Sequence, residues 1–260
     1  MIAIHADMPR KIGALMERER QTRFSGGVVG AYWAYLTPVA WIGFVVLLFH
    51  LLGRSPPIYV APAIFVATGV LPYIAFRQTV TSLTRAVAAH RYLLYLGPVS
   101  LHDILLATML LEAMNFLVSA ILIFGIVTLA FDVKLPHDPG LVLMGLGLAW
   151  MLACGSARLI AVVAMVSDSF ARAVPILLRP LFWVSGIFYT ATELSGPLHE
   201  LLWYSPLLHA TEILREGYFL GYQSPVAQPW FVVFLATILY LASFPIAGAI
   251  LRRRLGRYRL

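Results

Sequence analysis

Lysine is nearly absent from this chain: Lys11 and Lys134 are the only two in 260 residues, and neither follows a glycine. A phosphate-cradling loop of the G-x-x-x-x-G-K-[ST] type is therefore impossible, and the chain cannot hydrolyse ATP by that route. Cysteine is scarcer still: Cys154 stands alone and has no partner in the chain for a disulfide. Charge of either sign is thin, at 12% of residues, where a soluble domain carries about 25%. The seven histidines (His5, His50, His90, His102, His137, His199 and His209) fall into no H-x-x-x-H or H-E-x-x-H spacing. That argues against a metal site. No G-x-S-x-G nucleophile elbow occurs either. Nucleotide hydrolysis, metal catalysis and serine-type acyl transfer all lose their usual signatures.

What is present is apolar length. Hydrophobic residues make up 60% of the chain and the mean hydropathy is +0.84. Six runs approach the roughly 17–25 residues a helix needs to cross a bilayer: 28–52, 59–76, 102–131, 139–166, 171–190 and 229–251. They are continuous rather than alternating, which favours helices over a membrane barrel. The expected fold is an all-α integral membrane protein forming one domain over 1–260. Residues 1–24 are polar and charged and do not read as a signal peptide. Ile12, Leu15, Met16 and Glu19 instead recur at helical spacing, which predicts an amphipathic helix over 1–25 lying in the membrane surface.

Basic residues set the expected orientation. Arg10, Lys11, Arg18, Arg20 and Arg23 precede the first run; Arg77, Arg85 and Arg91 lie near the second connection; Arg158, Arg172 and Arg179 flank the fourth. Arg252, Arg253, Arg254, Arg257 and Arg259 end the sequence, whereas the opposite side holds Arg54, Lys134 and Arg215. Both termini are therefore expected in the cytoplasm. The net charge of +7 is a matter of topology and anionic headgroups and calls for no nucleic acid.

Two connections are long. Residues 77–103 contain a helix-compatible stretch, 84–98, closed by Gly97-Pro98, a natural docking knob for a soluble partner. Residues 193–226 are too polar to span yet too oily for free water, and Pro197, Pro206 and Pro225 divide them. Irregular backbone at membrane depth is tolerated only against protein or a wet cavity, which predicts two short re-entrant helices on the outer side. Ionisable residues in the runs (Glu112, Arg158, Arg179, His50) should face the interior or an aqueous path. For Arg158 two readings stand open: part of a positive path, or one half of a Glu112–Arg158 brace. Phe182, Trp183, Phe188 and Tyr189 crowd the outer half of the fifth run beside Arg179. Singly they fit an interfacial belt; together they fit a wall on which sugar rings stack.

Three blocks carry a family likeness: "RERQTRF" with "GAYWAYLTP", "HRYLLYLGPVSLHDILLATMLLE" (His90 to Glu112), and "SGIFYTATELSGPLHELLWYSPLLHATEILREGYFLGY" (Ser185 to Tyr222). They resemble the permease subunit of type-2 ABC exporters, in the capsular polysaccharide branch. The resemblance implies a homodimer whose path is lined mainly by the first and fifth spans. That places Tyr32 and Trp33 with Arg158, Arg179, Phe182, Trp183, Phe188 and Tyr189 as candidate path residues. It implies two copies of a separate ATPase subunit, which bind ATP and magnesium and grip the cytoplasmic helix through Arg85, His90, Arg91 and Tyr92; this chain itself would hold no cofactor. A periplasmic co-polymerase and an outer-membrane channel are implied as further partners, in a bacterial inner membrane. The passenger would be a lipid-linked acidic polymer, its head drawn to Arg10, Arg18, Arg20 and Arg23. An O-antigen or teichoic acid passenger is an alternative within the class. Outside it stand a membrane-embedded transferase, for which no acid pair is found, and a proton-driven carrier using Glu112.

Overall fold

Apolar runs punctuated by proline and glycine dictate a bundle of long helices with a broken region near the end. The structure, a computed structural model, describes residues 8–23, 28–53, 55–58, 60–90, 92, 94, 99–131, 133–194 and 196–256. Side chains are described for all of these but 22, 23, 28–35, 37, 197–199 and 253–256. Every described element is helical: α1 (Met8–Arg23), α2 (Val28–Leu51), α3 (Pro62–Ala89), α4 (Leu101–Phe131), α5 (Pro139–Ala164), α6 (Asp168–Leu177), α7 (Leu181–Val184), a 3-10 turn (Ala191–Glu193), α8 (Pro197–Trp203), α9 (Pro206–Tyr218) and α10 (Pro229–Gly256).

Local chemistry explains the starts. α3, α5, α8 and α9 each open with proline in the first turn, where its missing N–H is no loss. Asp138 caps α5 by accepting from the N–H groups of Gly140 (2.8 Å) and Leu141 (3.1 Å). Ser100 and Asp103 cap α4 reciprocally, at 2.9 and 3.2 Å.

α5 is the hub, packed against α3, α9 and α10. Close approach relies on small residues, as it does generally between membrane helices. A Cβ on Gly155 would lie 2.3 Å from the Ala236 carbonyl oxygen of α10, and one on Gly145 would lie 2.6 Å from the Leu214 nitrogen of α9. The apolar stretch of α3 is 89% buried, whereas those of α4 and α10 are 22% buried, so α4 and α10 present most of their apolar surface outward.

Among the described residues four helices are long and apolar enough to cross a membrane: Pro62–Ala89, Leu101–Phe131, Pro139–Ala164 and Pro229–Arg252. These correspond to the second, third, fourth and sixth expected runs; within α2, Pro38–Leu51 forms a shorter apolar helix. The fifth run, expected as one span over 171–190, is not a continuous helix. It is α6, a break at Leu178–Pro180, the single turn α7, and an irregular segment from Ser185. Pro175 and Pro180 each remove a ladder donor, and Gly186 adopts a left-handed φ of +82°, so apolar composition there does not yield a rod. The separate cytoplasmic helix expected over 84–98 also differs: Thr84 to Ala89 complete α3, and Arg91 and residues 95–98 lie outside the described residues. Within 193–226 two short helices, α8 and α9, follow Pro197 and Pro206.

Candidate functional site

Aromatic side chains from α2, α3 and the broken fifth run meet in one continuous surface. The Phe182 ring is its centre: Trp41 of α2 lies 5.3 Å away, Tyr73 of α3 5.2 Å and Phe188 5.3 Å, between centroids. Trp183 stacks on Phe188 at 5.0 Å with an interplanar angle of 22°. Phe188 in turn faces Phe49 of α2 at 6.4 Å, nearly parallel at 9°. Offset and edge-to-face rings at these separations are attractive, which holds the lane together without a polar skeleton. Beside it a cavity of about 300 Å³ is bounded by Leu48, Phe49, Leu52, Trp183, Phe188 and Tyr189. Four of the expected path residues are thus brought together. The side chains of Tyr32 and Trp33 lie outside the described residues.

At one end of the lane a small cleft runs between Pro38, Trp41, Tyr73, Arg77, Gln78 and Phe182. The Nε of Arg77 is buried there and has no hydrogen-bond partner. Arg179, exposed at the helix break, shares electrostatic reach of the Tyr73 hydroxyl with Arg77. Trp41, Tyr73 and Arg77 escaped the sequence reading, in which Arg77 counted only toward orientation. Their signal was available: Tyr73 and Arg77 are four residues apart and share a helix face.

Arg158 does not join this surface. It is 3% exposed on α5, donates from Nε to Ser243 Oγ at 2.6 Å and from one Nη to His102 Nδ1 at 3.1 Å. Its guanidinium also lies 4.1 and 4.9 Å from the Phe244 and Tyr240 centroids. The partners are on α4 and α10, so Arg158 braces three helices, and neither the path position nor the pairing with Glu112 is what the structure contains. Arg215, counted in the sequence as an outer-side charge, is wholly buried and bonded to Glu212 at 2.9 Å.

Residues 10–219 match the model of the ABC-2 type transporter family. The chain belongs to that family. This ABC-2 protein is 28% identical over 233 residues to the polysialic acid transport protein KpsM of Escherichia coli, covering 88% of this chain and 90% of that one. It is 26% identical over 232 residues to the capsule polysaccharide export inner-membrane protein CtrC of Neisseria meningitidis serogroup B (89% and 88% covered). Over 210 residues it is 27% identical to the capsule polysaccharide export inner-membrane protein BexB of Haemophilus influenzae (81% and 79%).

The residues expected to receive an ATPase and those expected to attract a headgroup meet each other in this ABC-2 chain. α1 packs against α4; Leu15 is buried, with Ile12, Met16 and Glu19 half-buried on the same face. The Arg18 guanidinium lies 5.3 Å from the Tyr92 ring centroid and donates to the Tyr92 hydroxyl. His90 is 5% exposed, its Nδ1 2.9 Å from the Ala86 carbonyl and 3.9 Å from Glu19. It faces α1 rather than an open surface. Arg85 is exposed, with Nε 3.4 Å from the Thr81 carbonyl. Arg20 pairs with Glu17 at 2.7 Å, and hydrogen bonds from Arg20 and Gln21 hold the Glu17 carboxyl down to about 2. Arg10 is exposed; the Arg23 side chain and Arg91 lie outside the described residues.

Proposed function

We propose that this chain is the permease subunit of an ATP-driven exporter that carries an acidic, lipid-linked capsular polysaccharide across the bacterial inner membrane. The observation that carries the reading is the aromatic lane from Trp41 and Tyr73 through Phe182 to Trp183, Phe188 and Phe49, with Arg77 and Arg179 at one end. Ring faces contact sugar faces one after another with small individual energies, so a polymer slides without a tight stopping point. Guanidinium groups at the threshold attract carboxylate or phosphate. The names of the relatives, polysialic acid and capsule polysaccharide proteins, fit such a passenger.

In this reading two copies form the channel, with α2 and the broken fifth run of each facing the other. A separate subunit, two copies per complex, binds ATP and magnesium and docks on residues 84–98. Both termini lie in the cytoplasm, α8 and α9 lie on the outer side, and a periplasmic co-polymerase and an outer-membrane channel complete the route. Arg10, Arg18 and Arg20 of α1, all exposed, attract the inner-leaflet headgroups.

The test is purification of the tagged chain from its host in mild detergent, with identification of what accompanies it. A dimer with two copies of a Walker-A-bearing ATPase is expected; a lone chain that works on a pH gradient would overturn the reading. In the intact complex, Trp183→Ala and Arg179→Ala are expected to lower surface polymer several-fold, by about 1 kcal/mol of lost contact each, without loss of the ATPase.

A further inference from the structure

Residues 185–194 carry the outer part of the aromatic lane yet contain no regular helix beyond the turn Ala191–Glu193. Their backbone groups lack a helical ladder, and buried backbone groups need partners that lipid cannot supply. Two side chains of α9 provide them. One Nη of Arg215 donates to the Gly186 carbonyl at 2.6 Å, and the other donates to the Tyr189 carbonyl at 2.7 Å. Glu212 accepts the Ala191 N–H at 3.3 Å and is itself held by Arg215 at 2.9 Å and by the Tyr222 hydroxyl. Both residues are 0% exposed. On the far side, the Arg215 guanidinium lies 4.2 Å from the Phe65 centroid, and its Nε is 3.5 Å from Thr68 Oγ1 of α3.

The segment presses close because glycine lets it. A Cβ on Gly69 would come 2.8 Å from the Ile187 Cα, and Gly186 takes its left-handed φ directly beneath the guanidinium. A buried ion pair is often no more stable than apolar residues of the same volume. An apolar pair could not hold two carbonyls three residues apart, whereas a planar guanidinium fork can. The fixed points at 186, 189 and 191 bracket Phe188.

We infer that Glu212–Arg215 is a latch that positions the outer half of the polymer path, so that Phe188, and with it Trp183 and Phe182, moves together with α9 as one unit. The inference rests on the exporter reading and deepens it: α9 gates the path from behind, and Arg215 is a positioning residue that never touches the passenger.

The test uses the full complex in membranes with Cys154→Ala and a reporter Ala191→Cys, a position 1% exposed in the latched state. A membrane-impermeant maleimide is applied from outside. Arg215→Lys keeps the charge and loses the fork, and Glu212→Gln keeps the shape and loses the charge. Each is expected to raise the labelling rate about ten-fold as the segment opens locally. Export falls about ten-fold while ATP hydrolysis stays within about two-fold, a split that general unfolding would not give. Unchanged labelling in both variants overturns the latch. Failure of both to accumulate in the membrane also overturns it, since the pair would then be a folding requirement alone. Labelling is read whatever the passenger, so a parent complex that exports no polymer would defeat the exporter reading and leave this result standing.

Discussion

A guanidinium buried in a membrane domain needs its donors occupied and its faces covered. Arg158 meets the requirement with Ser243, His102, Tyr240 and Phe244, all within 4.9 Å of hydrogen-bond or ring contact. Its loss should therefore register in stability before it registers in transport. Arg158→Ala is expected to cost about 3 kcal/mol from the lost charged hydrogen bonds and ring contacts, seen as a lower unfolding temperature in detergent. Arg158→Met, which refills the space, should cost less. If Arg158→Ala unfolds like the parent while export drops, the residue belongs to the path after all. Gly155 gives the complementary case. A side chain there would meet the Ala236 carbonyl, whereas nothing lies within 4 Å of a Cβ on Gly147 one helix face away. Gly155→Leu is expected to abolish folded protein in the membrane fraction, and Gly147→Leu to leave its amount near the parent level; equal yields would contradict the α5–α10 contact.

At the scale of elements, α1 and the proline-led helices were legible, because a 3.6-residue period and an N1 proline speak locally. Ile12, Leu15 and Met16 do form the inward face of α1, and α8 and α9 do begin at Pro197 and Pro206. α3 outran its expected end at residue 76 because the polar stretch that follows satisfies itself. Thr81 donates to the Arg77 carbonyl at 2.8 Å and Thr84 to the Val80 carbonyl at 2.8 Å, so the hydroxyls need no water. The latch was illegible for a different reason: the carbonyls that Arg215 meets are 26 and 29 residues away, and nothing in composition reports such a pairing. The Asp138 cap predicts its own test. Asp138→Ala should cost about 1 kcal/mol, measured as a shift in unfolding midpoint; no shift would mean that Pro139 alone starts α5. α1 adds a pH prediction. The Glu17 carboxyl lies below its ordinary 4.5, so its contribution is present above that value and is lost only as the pH falls toward about 2. Hydrogen-exchange protection of α1 should therefore be flat from pH 8 to pH 5, and a loss within that window would point to a different titrating group.

At the scale of the molecule, exposed apolar surface lies on two sides, and lipid alone cannot account for both in the same way. α4 and α10 expose apolar stripes at helical spacing, such as Leu117, Ile121 and Leu129 on α4 and Trp230, Phe234 and Ile238 on α10. α2 and α7 expose rings that continue the lane: Phe44, 53% exposed, sits edge-on to Trp41 at 6.0 Å, and Trp183, 66% exposed, stacks on Phe188. A path lined by one wall is open to the bilayer, where a hydrophilic polymer could not pass. On the proposed exporter reading a second wall closes it, and a two-fold related copy would offer the same rings in facing position. In a Cys154→Ala background, Phe44→Cys is expected to give a disulfide-linked dimer on mild oxidation in native membranes, because residues near a two-fold axis come within the roughly 7 Å between Cα atoms that a disulfide needs. Leu129→Cys, facing lipid, should remain monomeric under the same oxidation. Linkage through Leu129 and not Phe44 would put the dimer on α4, leave the aromatic lane facing lipid, and remove the geometric basis for a polymer path between subunits.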